Sequence, residues 1–222
     1  MNDSRMMEQR ALRVDDLEQV ARIHCKAFTD SALTRLGLEP VRRYYQWLMS
    51  GPFVCYAIGA YEQERLLGFC FAGIFHGSLT GFILNQKRFL YFWVLFHPWL
   101  VFNPLVYDRI KFALHLSAKN KFPINVSPSE SQSVRKENDS FGVLSIAVDP
   151  HKQGLGVGNK LMDAVEQEAL RSGYQNLHLT VHPINTQAII FYERCGWKKW
   201  SYDGEWTGYM TKQISPHDLS HN

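Results

Sequence analysis

Apolar and polar residues alternate in several short runs, and between these runs the apolar residues recur at helical spacing. Leu144, Ile146 and Val148 alternate with Ser145 and Ala147, and Leu177, Leu179 and Val181 alternate with His178, Thr180 and His182. Each run reads as a strand, stopped by Pro150 and Pro183 respectively. After the first, Leu161, Ala164, Val165 and Ala169 predict an amphipathic helix with Gly173 as its C-cap. After the second, Asn185 is placed as an N-cap for a short helix through Ala188, Phe191 and Tyr192 that ends at Gly196. Upstream, Ala11 to Val14 reads as a strand, and Asp15 or Asp16 caps a helix carrying Val20, Ile23 and Phe28. A second helix is expected from Glu39 to Met49. Phe53 to Tyr61 and Leu66 to Phe75 form a hairpin across Glu62-Gln63-Glu64-Arg65. Trp197 to Tyr202 and Trp206 to Gln213 make a last pair, turned at Asp203-Gly204, and the tail from Ser215 reads as disordered.

Between Gly77 and Ser140 lies a long insertion. Its first half, Phe89 to Tyr107, carries no charge but is broken by His97, Pro98, Asn103 and Pro104 and bracketed by Lys87, Arg88, Asp108 and Arg109. The prolines predict short helices rather than a membrane span. Three roles stay open: a helical subdomain packed on the sheet, a lid or floor for a bulky acceptor, or an interfacial membrane contact. The expectation is that most of Trp93, Phe96, Trp99, Leu100 and Phe102 are buried, in the chain or in a dimer, with a peripheral membrane contact not favoured. The second half, Ser127 to Ser140, is rich in Ser, Asn and charge and reads as a mobile loop.

The segment Asp149-Pro150-His151-Lys152-Gln153-Gly154-Leu155-Gly156-Val157-Gly158 joins a strand to a helix start. Glycines there let an anion approach backbone N–H groups where the helix dipole favours negative charge, so a diphosphate is expected. A dinucleotide fingerprint fails because its third glycine position is Asn159, and a Walker A loop fails because Asn159-Lys160-Leu161 stands where Gly-Lys-Ser/Thr is needed. Gln153, Gly156 and Gly158 do fit the pattern Gln/Arg-x-x-Gly-x-Gly/Ala. With Val148-Asp149-Pro150, this resembles the coenzyme A pyrophosphate loop of the GNAT superfamily of acetyltransferases. Asn185-x-x-Ala188-x-x-Phe191-Tyr192-x-x-x-Gly196-Trp197 resembles its other signature, with Trp where Phe is usual. Asn185, Ala188 and Tyr192 share one helical face. The resemblance is specific over roughly 141–206, and the aromatic insertion is similar to that of members associated with polysaccharide and glycan biosynthesis.

The resemblance implies an α/β (α+β) fold, a mixed, mostly antiparallel central sheet of about seven strands flanked by helices, with a helical insertion. One domain over 1–214, carrying the insertion at 78–139, is the simplest organisation for 222 residues. It implies acetyl-CoA as cofactor and transfer of its acetyl group to the amine of a small acceptor, an amino sugar being the suggested class, by direct attack in a ternary complex. Backbone groups of Ile146, Ala147 and Val148 are implied for pantetheine, Gln153, Gly154, Leu155, Gly156, Val157 and Gly158 for the pyrophosphate, and Asn185 and Ala188 for pantetheine. Tyr192 is implied as the group that protonates or hydrogen-bonds the departing thiolate. Several relatives carry a glutamate where Thr180 stands, so the base stays open among His178, His182, His76 and a water relay. A non-catalytic acyl-CoA-binding module, sensor or scaffold, is the competing class, and acetylation of a protein or small-amine acceptor is the other alternative.

Composition narrows the partners. A net charge of +3, with no basic stripe, does not argue for nucleic acid. Cys25, Cys55, Cys70 and Cys195 show no metal spacing, and the nine histidines form no ligand pair, so no metal is expected. A polar N-terminus without a signal peptide makes a reduced, cytoplasmic protein, monomer or homodimer, the default expectation.

Overall fold

The computed structural model describes residues 7–98, 141–201 and 204–215. The Ser127–Ser140 loop, Trp99, Leu100, Phe102, the turn residue Asp203 and the tail beyond Ser215 lie outside the described residues. Those described group into two compact units, one holding 7–13, 54–75, 141–201 and 204–215, the other 14–53 and 76–98. Elements are numbered over the described residues.

The first unit is a seven-stranded sheet in the order β1-β2-β3-β4-β5-β7-β6. Its strands are β1 (Glu8–Ala11), β2 (Val54–Glu62), β3 (Arg65–Ile74), β4 (Phe141–Val148), β5 (Asn176–Thr180), β6 (Lys198–Lys199) and β7 (Tyr209–Gln213). The pair β4–β5 is parallel and every other pair is antiparallel. The hairpin β2–β3 turns at Glu62-Gln63-Glu64-Arg65 as the pattern predicts. The first strand lies earlier than the expected Ala11–Val14. Arg10 lies over the Tyr61 ring at 3.8 Å and Leu12 N–H donates to the Ala57 carbonyl, which fixes β1 on β2, while Val14–Asp16 is already a 3-10 turn. The final pair is also shorter than expected, because Trp197 is buried in the core and the ladder with β7 holds only Lys198 and Lys199, followed by the Trp200 N–H bond to the Tyr209 carbonyl.

One face of this sheet is covered by α6 (Val157–Arg171), which buries Val157, Leu161, Met162, Val165 and Ala169; of the periodic set predicted from sequence, Leu161, Val165 and Ala169 are buried and Ala164 is half-buried. A short helix, α7 (Thr186–Arg194), contributes Ile189 and Tyr192 to the same core. A buried ion pair fastens the layers. Lys212 Nζ on β7 donates to both Glu166 oxygens on α6 at 2.7 Å and to the Cys195 carbonyl at the end of α7 at 2.6 Å. Removing one member of such a pair strands a buried charge, which is costlier than never having had the pair.

The second unit is helical. It comprises α1 (Leu17–Ala27), α2 (Ala32–Leu36), α3 (Leu38–Ser50), α4 (Ser78–Asn85) and α5 (Lys87–Phe96). Asp16 occupies the N-cap of α1 but its side chain makes no capping bond, and Phe28 falls at the C-cap rather than inside the helix. Ser31, whose hydroxyl accepts the Leu33 N–H, starts α2, a one-turn helix the periodicity did not predict. Leu17, Val20, Ala21 and Ile23 on α1 and Val41, Tyr45 and Leu48 on α3 are buried. Trp47 Nε1 donates to the Ser78 carbonyl, tying α3 to α4, and Trp93 Nε1 donates to the Leu36 carbonyl, tying α5 to α2. The insertion does open with short helices; of the two expected aromatics on α5, Trp93 is half-buried and Phe96 is exposed within the single chain. Beyond Lys87 and Arg88, α5 is uncharged, and it spends only one face on its neighbours.

Between α1 and α3, His24 Nδ1 and the Tyr45 hydroxyl are 2.7 Å apart, and His24 Nε2 is buried without a partner. Burial lowers the His24 pKa from 6.5 to about 4. The folded state therefore holds a neutral imidazole that the unfolded chain would protonate below 6.5, so stability falls as pH drops from 6.5 towards 4. The gap corresponds to about 3 kcal/mol at most. Urea titrations at pH 7 and pH 4.5 should show this loss, and His24→Asn, which can still meet the Tyr45 hydroxyl, should flatten it; an unchanged pH slope in the variant would assign the loss elsewhere.

Candidate active site

The site begins with a register fault in β4. Phe71 faces Ser145 and Ala72 faces Val143, so Leu144 is an extra residue with no opposite number on β3. Such a bulge bends the strand and re-aims the residues beyond it. The alternation of Leu144, Ile146 and Val148 with Ser145 and Ala147 is broken there, and Leu144 is 39% exposed while Ala147 is buried. On its other side, β4 pairs with β5 only at Phe141, Gly142 and Val143, against Leu177, His178 and Leu179. Beyond Val143 the two strands part.

The parting exposes a strand edge inside a sheet. Asp149 N–H donates to the Leu67 carbonyl at 2.8 Å, which sets the phase of the antiparallel ladder. Ala147, opposite Phe69, then turns its N–H and C=O to β3, while Ile146 and Val148 turn theirs to the side that β5 has left. Of the three backbone positions expected to meet pantetheine, two face the open edge.

The glycine loop comes next. Asp149 is buried, its carboxylate accepts the His151 N–H at 3.1 Å, and Arg65 approaches it at 3.7 Å. This holds the 3-10 turn Pro150–Lys152, and Lys152 reaches Glu62 at 3.1 Å. Gly154 and Gly156 have φ of 79° and 75°, a left-handed backbone, and a Cβ built on either meets nothing within 4 Å. Their surroundings are open, as an anion site needs. Gly156 is the N-cap of α6 and offers no side chain to its leading N–H groups, so these point out of the helix end. Gly158 has a different reason to be glycine. A Cβ there would stand 3.1 Å from the Phe191 ring, so its hydrogen is what lets α7 pack against the first turn of α6. Leu155 is exposed and Val157 is buried, so only their backbones can serve an anion.

On α7, Asn185 Oδ1 accepts the Ala188 N–H at 3.1 Å, confirming the predicted cap and leaving the amide nitrogen as the end that can donate outward. Ala188 is half-buried. Tyr192 is buried against Phe191 and Trp197, and burial pushes its phenol well above its ordinary value, with Cys70 and Cys195 adding to the rise. The histidines separate. The His178 ring stacks on Tyr209 with centroids 5.8 Å apart and lies across Gly142, on the face away from the core leucines and next to the parting of β4 and β5. His182 lies beyond the end of β5, exposed, with its Nδ1 accepting the Ile184 N–H at 3.4 Å. His76 is exposed at the end of β3, in the segment that leads to α4.

Comparison with known proteins agrees with this geometry. A sequence model of the acetyltransferase (GNAT) family matches residues 125–197, which run through β4, the glycine loop and α7. The mycothiol acetyltransferase of Geodermatophilus obscurus is 36% identical over 64 residues, which make up 29% of this chain and only 21% of that protein. Among solved structures, the Paia N-acetyltransferase of Thermoplasma acidophilum in complex with coenzyme A superposes with a TM-score of 0.56 at 15% identity, covering 94% of this chain and 99% of that one. The ribosomal-protein-S18-alanine N-acetyltransferase of Escherichia coli gives 0.53 at 16% identity, covering 95% of each chain. The chain is thus similar to the GNAT acetyltransferases over the third that the family model matches, and it shares the fold of their solved structures.

The Gly158–Phe191 contact is testable apart from any activity. Gly158→Val should destabilise the protein by about 1–3 kcal/mol through overpacking against Phe191. Thermal unfolding checks this, and pairing it with Phe191→Leu should recover part of the loss if the contact is the cause.

Proposed function

We propose that this protein is an acetyl-CoA-dependent N-acetyltransferase that transfers the acetyl group directly to the amine of a small acceptor, of which an amino sugar is the favoured class. The observation that carries the reading is the strand edge left by the Leu144 bulge, lying one turn before a helix N-terminus whose leading glycines stand in open space. A pantetheine arm has amides that an edge strand can pair, and a diphosphate suits the N–H groups of a helix end. The residues present fit the cofactor: Ile146 and Val148 for the amides, the backbone from Gln153 to Gly158 for the pyrophosphate, and the Asn185 amide for the arm. When bound, it supplies an acetyl group activated as a thioester.

Direct attack is favoured over a cysteine intermediate. Burial is the chief cause holding all four thiols above their ordinary values, Cys55 up to about 12 and Cys195 up to about 11, so none is an activated thiolate at neutral pH. Tyr192 is better suited to donate a hydrogen bond than a proton. Its phenol is held above 10, whereas an ordinary thiol lies near about 8.5, so the thiolate is the weaker base of the two. The phenol then stabilises negative charge on the departing sulfur and keeps its own hydrogen. For the amine's proton, His178 is the better placed histidine. His182 spends its Nδ1 lone pair on the Ile184 N–H, which puts its remaining hydrogen on Nε2, while His178 stands beside the parting of β4 and β5. The amino-sugar reading is supported by the aromatic surface around His178. Trp200 meets Tyr209 edge-on at 5.6 Å and is half-exposed, the kind of ring face against which the apolar side of a sugar packs.

Release of thiol from acetyl-CoA, measured against a panel of amino sugars, polyamines and peptide N-termini, tests the reading; no acetyl transfer to any of them, with acetyl-CoA still bound, would leave an acyl-CoA-binding module. Gly156→Glu, which puts an anion at the helix end, should weaken acetyl-CoA binding by tenfold or more, about 1.4 kcal/mol, in calorimetry on a variant shown to be folded by circular dichroism. Tyr192→Phe should lower kcat by roughly tenfold to a hundredfold with little change in KM for acetyl-CoA, because the lost hydrogen bond strengthens only as the sulfur gains charge. An unchanged kcat would remove the phenol from the reaction.

A further inference from the structure

The helix α5 is docked, and it is docked the wrong way round for a helix that ends in water. Its inner side is fixed by three contacts: the Trp93 Nε1 bond to the Leu36 carbonyl at 2.8 Å, the Trp93 ring 3.7 Å from where a Cβ on Gly37 would stand, and the Arg43 guanidinium over the Phe89 ring at 3.9 Å. Phe89 and Trp93, one turn apart, therefore face α2 and α3. Everything on the other side turns outward: Lys87 and Arg88 are exposed, and beyond them Tyr91 is 68%, Phe92 55%, Leu95 59% and Phe96 74% exposed. These positions fall at i, i+4 and i+8 steps along one side, cations on the first turn and aromatics and leucine on the next two. A helix of this length is about 15 Å long.

We propose that this outer face of α5 is a membrane-surface contact that takes an anionic lipid bilayer. Charge supports this occupant over a protein partner or a second copy. The chain carries no Asp or Glu from Arg65 to Tyr107, so Lys87 and Arg88 are the only charged residues between Arg65 and Asp108, and no carboxylate from that stretch competes for them. Tyr and Phe are residues that sit at the headgroup level, and Lys and Arg extend their heads to lipid phosphates while their stems lie along apolar surface. A second copy of the chain would instead bring two cationic pairs towards one another without an acid to separate them. The contact is a surface one: no helix among the described residues is long and apolar enough to cross a membrane.

The test is flotation of the full chain with phosphatidylcholine vesicles, with and without phosphatidylglycerol. Binding to the anionic vesicles should exceed binding to the neutral ones by about thirtyfold, because two surface cations contribute together, and it should fall as salt is raised. Lys87→Glu with Arg88→Glu, and separately Phe92→Ser with Phe96→Ser, should each abolish it. All four side chains are exposed, so the variants should keep the wild-type circular dichroism and unfolding temperature. Three results would overturn the proposal: no flotation with anionic vesicles, flotation that both double variants retain, or a concentration-dependent dimer in light scattering that Phe92→Ser with Phe96→Ser dissolves while vesicles are ignored.

Discussion

Everything at the candidate site depends on one register fault. Had β4 run straight, Leu144 would have taken its place opposite β3, β5 would have continued along β4, and Ile146 and Val148 would have spent their backbone groups inside the sheet. The extra residue at Leu144 ends the pairing with β5 at Val143 and leaves a strand edge in the interior of a seven-stranded sheet. An unpaired edge is ordinarily a liability, because unsatisfied N–H and C=O groups invite another strand. Here the same property makes a slot for an extended, amide-bearing molecule.

A slot of that kind works only if its flanks stay put. The buried Glu166–Lys212 pair, with the Cys195 carbonyl as a third partner, joins the helix that begins at the glycine loop, a strand beyond β5 and the end of the helix that carries Tyr192. Gly158 lets Phe191 close against the first turn of α6, so the loop and the tyrosine helix share one packed contact. On the other side of the loop, Asp149 is held by the His151 N–H and by Arg65. The loop is thus clamped at both ends, while Gly154 and Gly156 between the clamps face open space.

The chemistry that this arrangement favours is one of positioning. The thiols are held protonated, and the phenol of Tyr192 is held too weakly acidic to give up its hydrogen to a thiolate. The proposed reaction is therefore left to hydrogen-bond donors and to an imidazole near the parting of the strands. In the second unit the balance is different. His24 is kept neutral between α1 and α3, and α5 turns an apolar face outward beside two cations.

The sequence by itself determined the alternating strands, the amphipathic helix with its glycine start, the Asn185 cap and the β2–β3 hairpin, because each depends on residues within one turn or one strand of each other. It also singled out the loop and Tyr192 as candidates, through residue types at fixed spacing. It misplaced β1 by three residues and made the final strands too long, since those ends are set by Arg10 on Tyr61 and by the burial of Trp197, contacts across long stretches of chain. It could not show the bulge at Leu144, because a bulge exists only relative to the partner strand's register. It could not tell that Gly158 serves packing while Gly156 serves the helix end, nor pair Lys212 with Glu166, nor separate His178 from His182. It could not say which side of α5 finds a neighbour within the chain, since periodicity does not distinguish the sides of a helix that is uncharged beyond its first two residues. These were decided by tertiary structure alone, where the number of sides a residue presents is fixed locally but the number that meet a partner is not.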